Sequence, residues 1–159
     1  IASAPMVISF DLTNEELRSA MWPLISNRRV LDVNAAWAGH PGTLLAQSRN
    51  LPSNGSAVSN NPHLKHLVLR TQWQLWAKPL PGGSVAVLGI NFDGFLSLEV
   101  SFALAQIPPL WWATDEAPTK VRAVDAWTGE EVASVLDGAR LTTQTLAPHA
   151  CQMLILTAV

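Results

Sequence analysis

Apolar residues recur at helical spacing in the first part of the chain, and from about Thr43 onward they recur at every second position. Met6 to Ser9, following Pro5, is a short apolar run that reads as one buried strand. It leads into SFDLTNEEL, where Thr13 and Glu16 have the spacing of a capping box, so a helix is expected from Asn14. Leu17, Ala20, Met21 and Leu24 continue at helical intervals. Pro23 is expected to kink or divide that helix, because it lacks a donor and crowds the preceding turn. A second short helix, about Arg28 to Ala36, runs to the breaker AGHPG. After the period changes, strands are expected at Thr43 to Gln47, Leu67 to Thr71, Trp73 to Lys78, Ser84 to Asn91, Leu96 to Ala105, Lys120 to Trp127, Ala139 to Leu146 and Ala150 to Thr157. The turn clusters PLPGG, NFDG and LDG lie between them, and KPLPGGSVAV is the clearest hairpin signal. Short alternating strands at this spacing predict an antiparallel β-sandwich.

One buried strand followed by helices has no way to satisfy its own edges, so the first forty or so residues are expected to pack on a sheet supplied by other sequence. IASAPMVISF has no initiator Met, no basic segment and no long apolar segment. It is therefore expected to continue from preceding chain rather than to be a signal peptide.

Composition narrows the functional classes. The formal charge is −2 and basic residues never run longer than Arg28-Arg29, so the electrostatic drive for nucleic-acid binding is missing. The apolar runs Val85 to Ile90 and Met153 to Leu156 have strand length, not membrane-span length. The single cysteine, Cys151, permits no internal disulfide, and with four scattered histidines it gives no zinc spacing; no metal or cofactor is expected. Seven tryptophans accompany no tyrosine, and Trp111-Trp112 follows Pro108-Pro109. These two rings read as core and loop packing, or as a contact surface or sugar platform.

Candidate chemistry is sparse. Glu15-Glu16, Asp115-Glu116 and Glu130-Glu131 are neighbours in sequence, whereas two carboxyl groups cleaving a glycoside with retention must face each other about 5 Å apart. Ser9 and Asp11 stand just past the end of a buried strand, where α/β barrels keep their sites, although Asp11 equally suits hydrogen bonds to nearby backbone. His149 and Cys151 flank Ala150 without a third group, and His63 and His66 read as surface histidines. Asn54-Gly55-Ser56 is an N-glycosylation sequon.

Several segments in order resemble the α-galactosidases of glycoside hydrolase family 27. APMVISFDL is similar to the segment that closes their barrel, and SNRRVLDVNAAWAGHPG to the helix that follows. WQLWAKPLPGGSVAVLGIN resembles their first sandwich hairpin with its closing Asn, here Asn91. VRAVDAW and LAPHACQMLILT resemble later sandwich strands. The resemblance runs from Ala4 to Thr157 and is weakest between about Thr43 and Val68. Where the family usually has Arg after DL this chain has Thr13, and Ala36 stands where an Asp would follow.

The resemblance implies a mainly β chain. Residues 1–42 would be the last strand and helices of a (β/α)8 barrel, 43–67 a junction strand and polar loop, and 68–159 the C-terminal antiparallel β-sandwich. The complete protein would hydrolyse terminal α-linked galactose with retention, binding carbohydrate through the barrel, in a secreted, vacuolar or lysosomal setting. The catalytic aspartates belong to earlier barrel strands, so none is carried over and the chain alone is expected to be inactive. The rest of the barrel is its expected partner, as a companion chain or as further sequence. A non-catalytic structural subunit and a carbohydrate-binding module are the alternatives.

Overall fold

The computed structural model describes residues 1, 3, 11–48, 51–52, 69–112, 117–135 and 140–159. The buried strand expected at Met6 to Ser9 lies outside them. Two helices come first, α1 (Glu15–Ile25) and α2 (Arg28–Ala35), and strands follow: β1 (Thr43–Gln47), β2 (Leu51–Pro52), β3 (Leu69–Arg70), β4 (Trp73–Leu80), β5 (Ser84–Asn91), β6 (Ser101–Ala103), β7 (Val121–Asp125), β8 (Glu131–Val135), β9 (Arg140–Thr142) and β10 (Cys151–Ala158). Six of them form one antiparallel sheet in the order β1-β4-β5-β10-β7-β8. Opposite lies the β6-β9 pair, extended by a bridge between Leu98 and Leu146.

Alternation sorts the side chains of the large sheet onto two faces. Leu75, Ala77, Val85, Val87, Val121, Ala123, Leu154 and Leu156 point inward and pack with Val100, Phe102, Leu104, Ile107, Trp112, Leu141 and Leu146 from the smaller layer. On the outer face Ala86 and Met153, with Leu80, Leu88 and Ile155, meet Val33 and Val30 of α2. The central strands β5 and β10 are thus covered on both sides, which is why Val85 to Ile90 and Met153 to Leu156 run apolar within them.

Turn chemistry fixes the best-defined hairpin. Gly82 (φ 82°) and Gly83 (φ 76°) take the left-handed conformations that return β4 into β5. Pro79 is tolerated inside β4 because the pairing with β1 ends at Ala77.

Several local readings are corrected. Helix α1 is capped by Asn14, whose side chain accepts from Leu17 N at 3.0 Å, and not by Thr13, whose hydroxyl donates to Asp11. The helix runs through Pro23 instead of dividing there; it ends two residues later, where Ser26 N donates to the Trp22 carbonyl at 3.0 Å. The long strand expected from Leu96 to Ala105 shrinks to Ser101–Ala103, because Asp93 holds a turn before it and a 3-10 turn at Leu104–Gln106 follows. Strand β8 was not expected from its two leading glutamates. It is an edge strand, and Glu131 finds Arg122 of β7 at 2.8 Å.

Phe102 is the largest apolar side chain wholly enclosed between the two layers. Truncation to Ala is expected to cost about 3–5 kcal/mol of folding free energy, read from urea unfolding. A loss below about 1 kcal/mol would mean that the two layers do not share one core.

Candidate functional site

The described residues hold no group of three or more His, Cys, Asp or Glu able to bind a metal ion. None of their helices is long and apolar enough to cross a membrane. Three places carry unusual side-chain arrangements.

The first is the exposed side of the helical layer. Helix α1 buries none of its side chains, and Trp22 (55% exposed), Leu24 (50%) and Leu17 stand in solvent. Leu12 before it and Trp37 after α2 are exposed as well. A shallow groove over Arg18, Ser19, Trp22 and Pro23 lies on this side.

The second is the joint between α2 and the large sheet. The ammonium of Lys78, fully buried on β4, donates to the carbonyls of Val33 (2.5 Å) and Asn34 (3.1 Å) at the end of α2. Burial pushes its pKa below the ordinary lysine value. At the other end of the helix, Asn27 caps Val30 N and donates to the Trp127 carbonyl at 2.9 Å. The guanidinium of Arg29 lies against Gly129, where a Cβ would come within 2.4 Å of it; Gly129 also has φ 78°.

The third is one end of the sandwich. Asn91 is buried and donates to the carbonyls of Leu96 (2.8 Å), Leu146 (3.0 Å) and Ala147 (3.0 Å), while its own oxygen accepts from Asp93 N at 2.8 Å. Asp93 in turn accepts from Phe95 N and Leu96 N, both at 2.8 Å. These bonds, the one from Leu96 first, hold its carboxyl below its usual pKa. The loop so fixed exposes Phe92, Phe95 and Leu96. His149, in the left-handed conformation at φ 59°, approaches it at Gly94.

The residues singled out from sequence do not come together. Asp11 is exposed and accepts from the backbone N–H (2.9 Å) and the hydroxyl (2.7 Å) of Thr13, the hydroxyl bond contributing most to its lowered pKa. Ser9, Asn54, His63 and His66 lie outside the described residues, as does the pair Asp115-Glu116. Trp112 is only 4% exposed and belongs to the core, with no hydrogen-bond partner for its indole N–H among the described residues. Trp111 is half-buried, with its ring 5.3 Å from that of His40. Leu110 is the outward-facing residue of this segment. Cys151 opens β10 with its residue exposed, while partial desolvation of the thiol by its neighbours, then the charge of Asp125, raise the thiol pKa.

Lys78 escaped sequence reading, although a signal was there. It alternates with Trp76 and Leu80 on a face otherwise apolar, and a charge in that position needs a partner.

The class that emerges is a two-layer antiparallel sandwich carrying a helical layer on the outer face of its larger sheet. Residues 70–156, more than half of the chain, match the family model of the alpha galactosidase C-terminal beta sandwich domain, and the chain belongs to that family. This homology places it within a glycoside hydrolase family. No curated protein matches the chain.

Among solved structures it is similar to the α-galactosidase of Saccharomyces cerevisiae, with 16% identity and a TM-score of 0.76 over 99% of this chain and 41% of that one. It also resembles α-galactosidase I of Mortierella vinacea (13% identity, TM-score 0.65, 98% of this chain and 32% of that one). A third likeness is to the isomalto-dextranase of Arthrobacter globiformis T6 (25% identity, TM-score 0.63, 99% and 22%). The chain spans well under half the length of each of these relatives.

The Asp93 carboxylate gives an acid signature. Because its folded pKa lies below the ordinary 3.8, its contribution is complete above that pH and is lost as pH falls through the lowered value. The Phe95 and Leu96 amides are expected to lose exchange protection, relative to their intrinsic rates, in that window, and Asp93→Asn is expected to abolish the step. Protection unchanged through the window would show that the carboxylate does not hold the loop.

Proposed function

We propose that the chain is the C-terminal portion of a glycoside hydrolase of the α-galactosidase type. In this reading residues 1–42 complete a (β/α)8 barrel whose remainder, with the catalytic aspartates, lies in other sequence. Residues 43–67 make the junction, and 68–159 brace the barrel. The observation that carries the reading is α1: a helix with no buried side chain that exposes Leu17, Trp22 and Leu24 needs a partner to cover it. The solved relatives support it, since each extends well beyond the part that this chain matches. Hydrolysis of terminal α-linked galactose would then be the property of the assembled protein, with this chain supplying structure and no catalytic group.

The test is reconstitution. The chain would be expressed alone and with the sequence that supplies the rest of the barrel, and hydrolysis of a chromogenic α-galactoside measured alongside co-purification. Activity is expected only with both parts. Replacing Leu17 and Trp22 by Asp is expected to weaken the association at least tenfold, about 1.4 kcal/mol. Hydrolysis by the chain alone, or association indifferent to those substitutions, would overturn the reading.

A further inference from the structure

We propose that Lys78 is the fastener of the helical layer: its ammonium, set against the last carbonyls of α2, holds that helix on the sandwich, and without it the layer detaches while the sandwich stays folded.

The argument starts from how little else holds α2. Eight residues are too few for a helix that is stable by itself in water. Val33 is its only buried side chain, with Val30 half-buried beside it. Helix α1 has no fully buried side chain; only Met21 and Ile25 are half-buried, so it adds little anchorage of its own. The Arg28–Asp32 pair, 2.8 Å apart, lies on the exposed side and does not reach the sheet. Two polar joints therefore bracket the helix. Asn27 bonds the Trp127 carbonyl at the N-terminal end.

At the C-terminal end stands Lys78, which donates to the carbonyls of Val33 and Asn34 in the last turn of the helix. Its neighbours on the same face of the sheet, Leu80, Ala86, Leu88, Met153 and Ile155, are apolar, so the ammonium has no carboxylate to turn to. Loss of the helix would take both acceptors from Lys78 on an apolar surface, and loss of Lys78 would remove its two bonds to the end of the helix.

The charged groups around this joint are few. From α2 come Arg28 and Asp32, paired with each other, and Arg29, which lies over Gly129. From the sheet, Arg122 is paired with Glu131, and Cys151 carries a thiol with a raised pKa. The sequence contains no tyrosine, so alkaline titration is sparse.

Burial lowers the Lys78 pKa, so its charge opposes docking below the lowered value. That opposition is relieved as pH rises toward the ordinary 10.5, and the neutral amine still donates to both carbonyls. Docking of α2 should therefore tighten as pH rises toward 10.5.

The experiment is hydrogen exchange by mass spectrometry on the full chain carrying Cys151→Ser, which removes the thiol's opposing titration. In Lys78→Met, amides of α2 are expected to exchange about tenfold faster or more, while those of β5 and β10 keep their protection. Unchanged α2 exchange would overturn the proposal. So would a joint loss of protection in α2 and the strands, because Lys78 would then be a core residue of the whole fold. Should Lys78→Met fail to fold, the chain with Lys78 intact decides. Protection of α2, corrected for intrinsic rates, should rise as pH rises toward 10.5 while that of β5 stays level. No such difference would overturn the proposal. No companion sequence is required, so this result and the reconstitution above stand or fall separately.

Discussion

A sheet whose middle strands are apolar on both sides must be covered on both sides. Strands β5 and β10 impose that constraint here, and the rest of the molecule answers it in two ways. The inner face is closed by the β6-β9 layer, with Phe102, Ile107 and Leu146 wholly enclosed. Among the described residues the outer face is covered by one short helix, which meets it through Val33 and Val30, with Ile1 beside them. The first cover is extensive and the second is slight. Polar contacts consequently carry more weight outside than inside: Lys78 and Asn27 grip the two ends of α2, whereas the inner core relies on packing.

The fold was legible to the extent that one face, one period and one turn signal spoke together. Strands β1 and β5 begin and end where their alternation does, and the β4–β5 turn follows from Gly82-Gly83. Legibility failed where a side chain replaced a backbone partner. The Thr143 hydroxyl oxygen accepts from Val100 N, so the strand expected to reach Leu146 stops at Thr142 as a regular element. At the N-terminus of α1, Asn14 and Thr13 both suit a cap; Asp11 decides the matter by engaging Thr13. Strand β8 was hidden because an exposed edge tolerates charge that a central strand would reject.

The candidate site was less legible than the fold, for a physical reason. Trp111 and Trp112 are adjacent in sequence, yet the 3-10 turn at Pro109–Trp111 leaves one at the rim of the core and the other, just after it, inside. The tasks of Asn91 and Lys78 depend on carbonyls 55 and 45 residues away, distances over which no sequence pattern reaches. Asn91 could be recognised as a fixed feature of the hairpin, but its task of tying β5 to the Leu146–Ala147 segment needed three dimensions.

Gly129 shows how tightly the turn after β7 and the start of α2 are matched. Its left-handed backbone already excludes most side chains, and the Arg29 guanidinium fills the space that any Cβ would claim. The helix thus reads the shape of a turn a hundred residues away in the chain, where Asn27 also bonds. A larger residue in the turn would need a new backbone geometry and would push the Arg29 guanidinium aside, so the turn's own conformation, more than the helix, sets what can stand there.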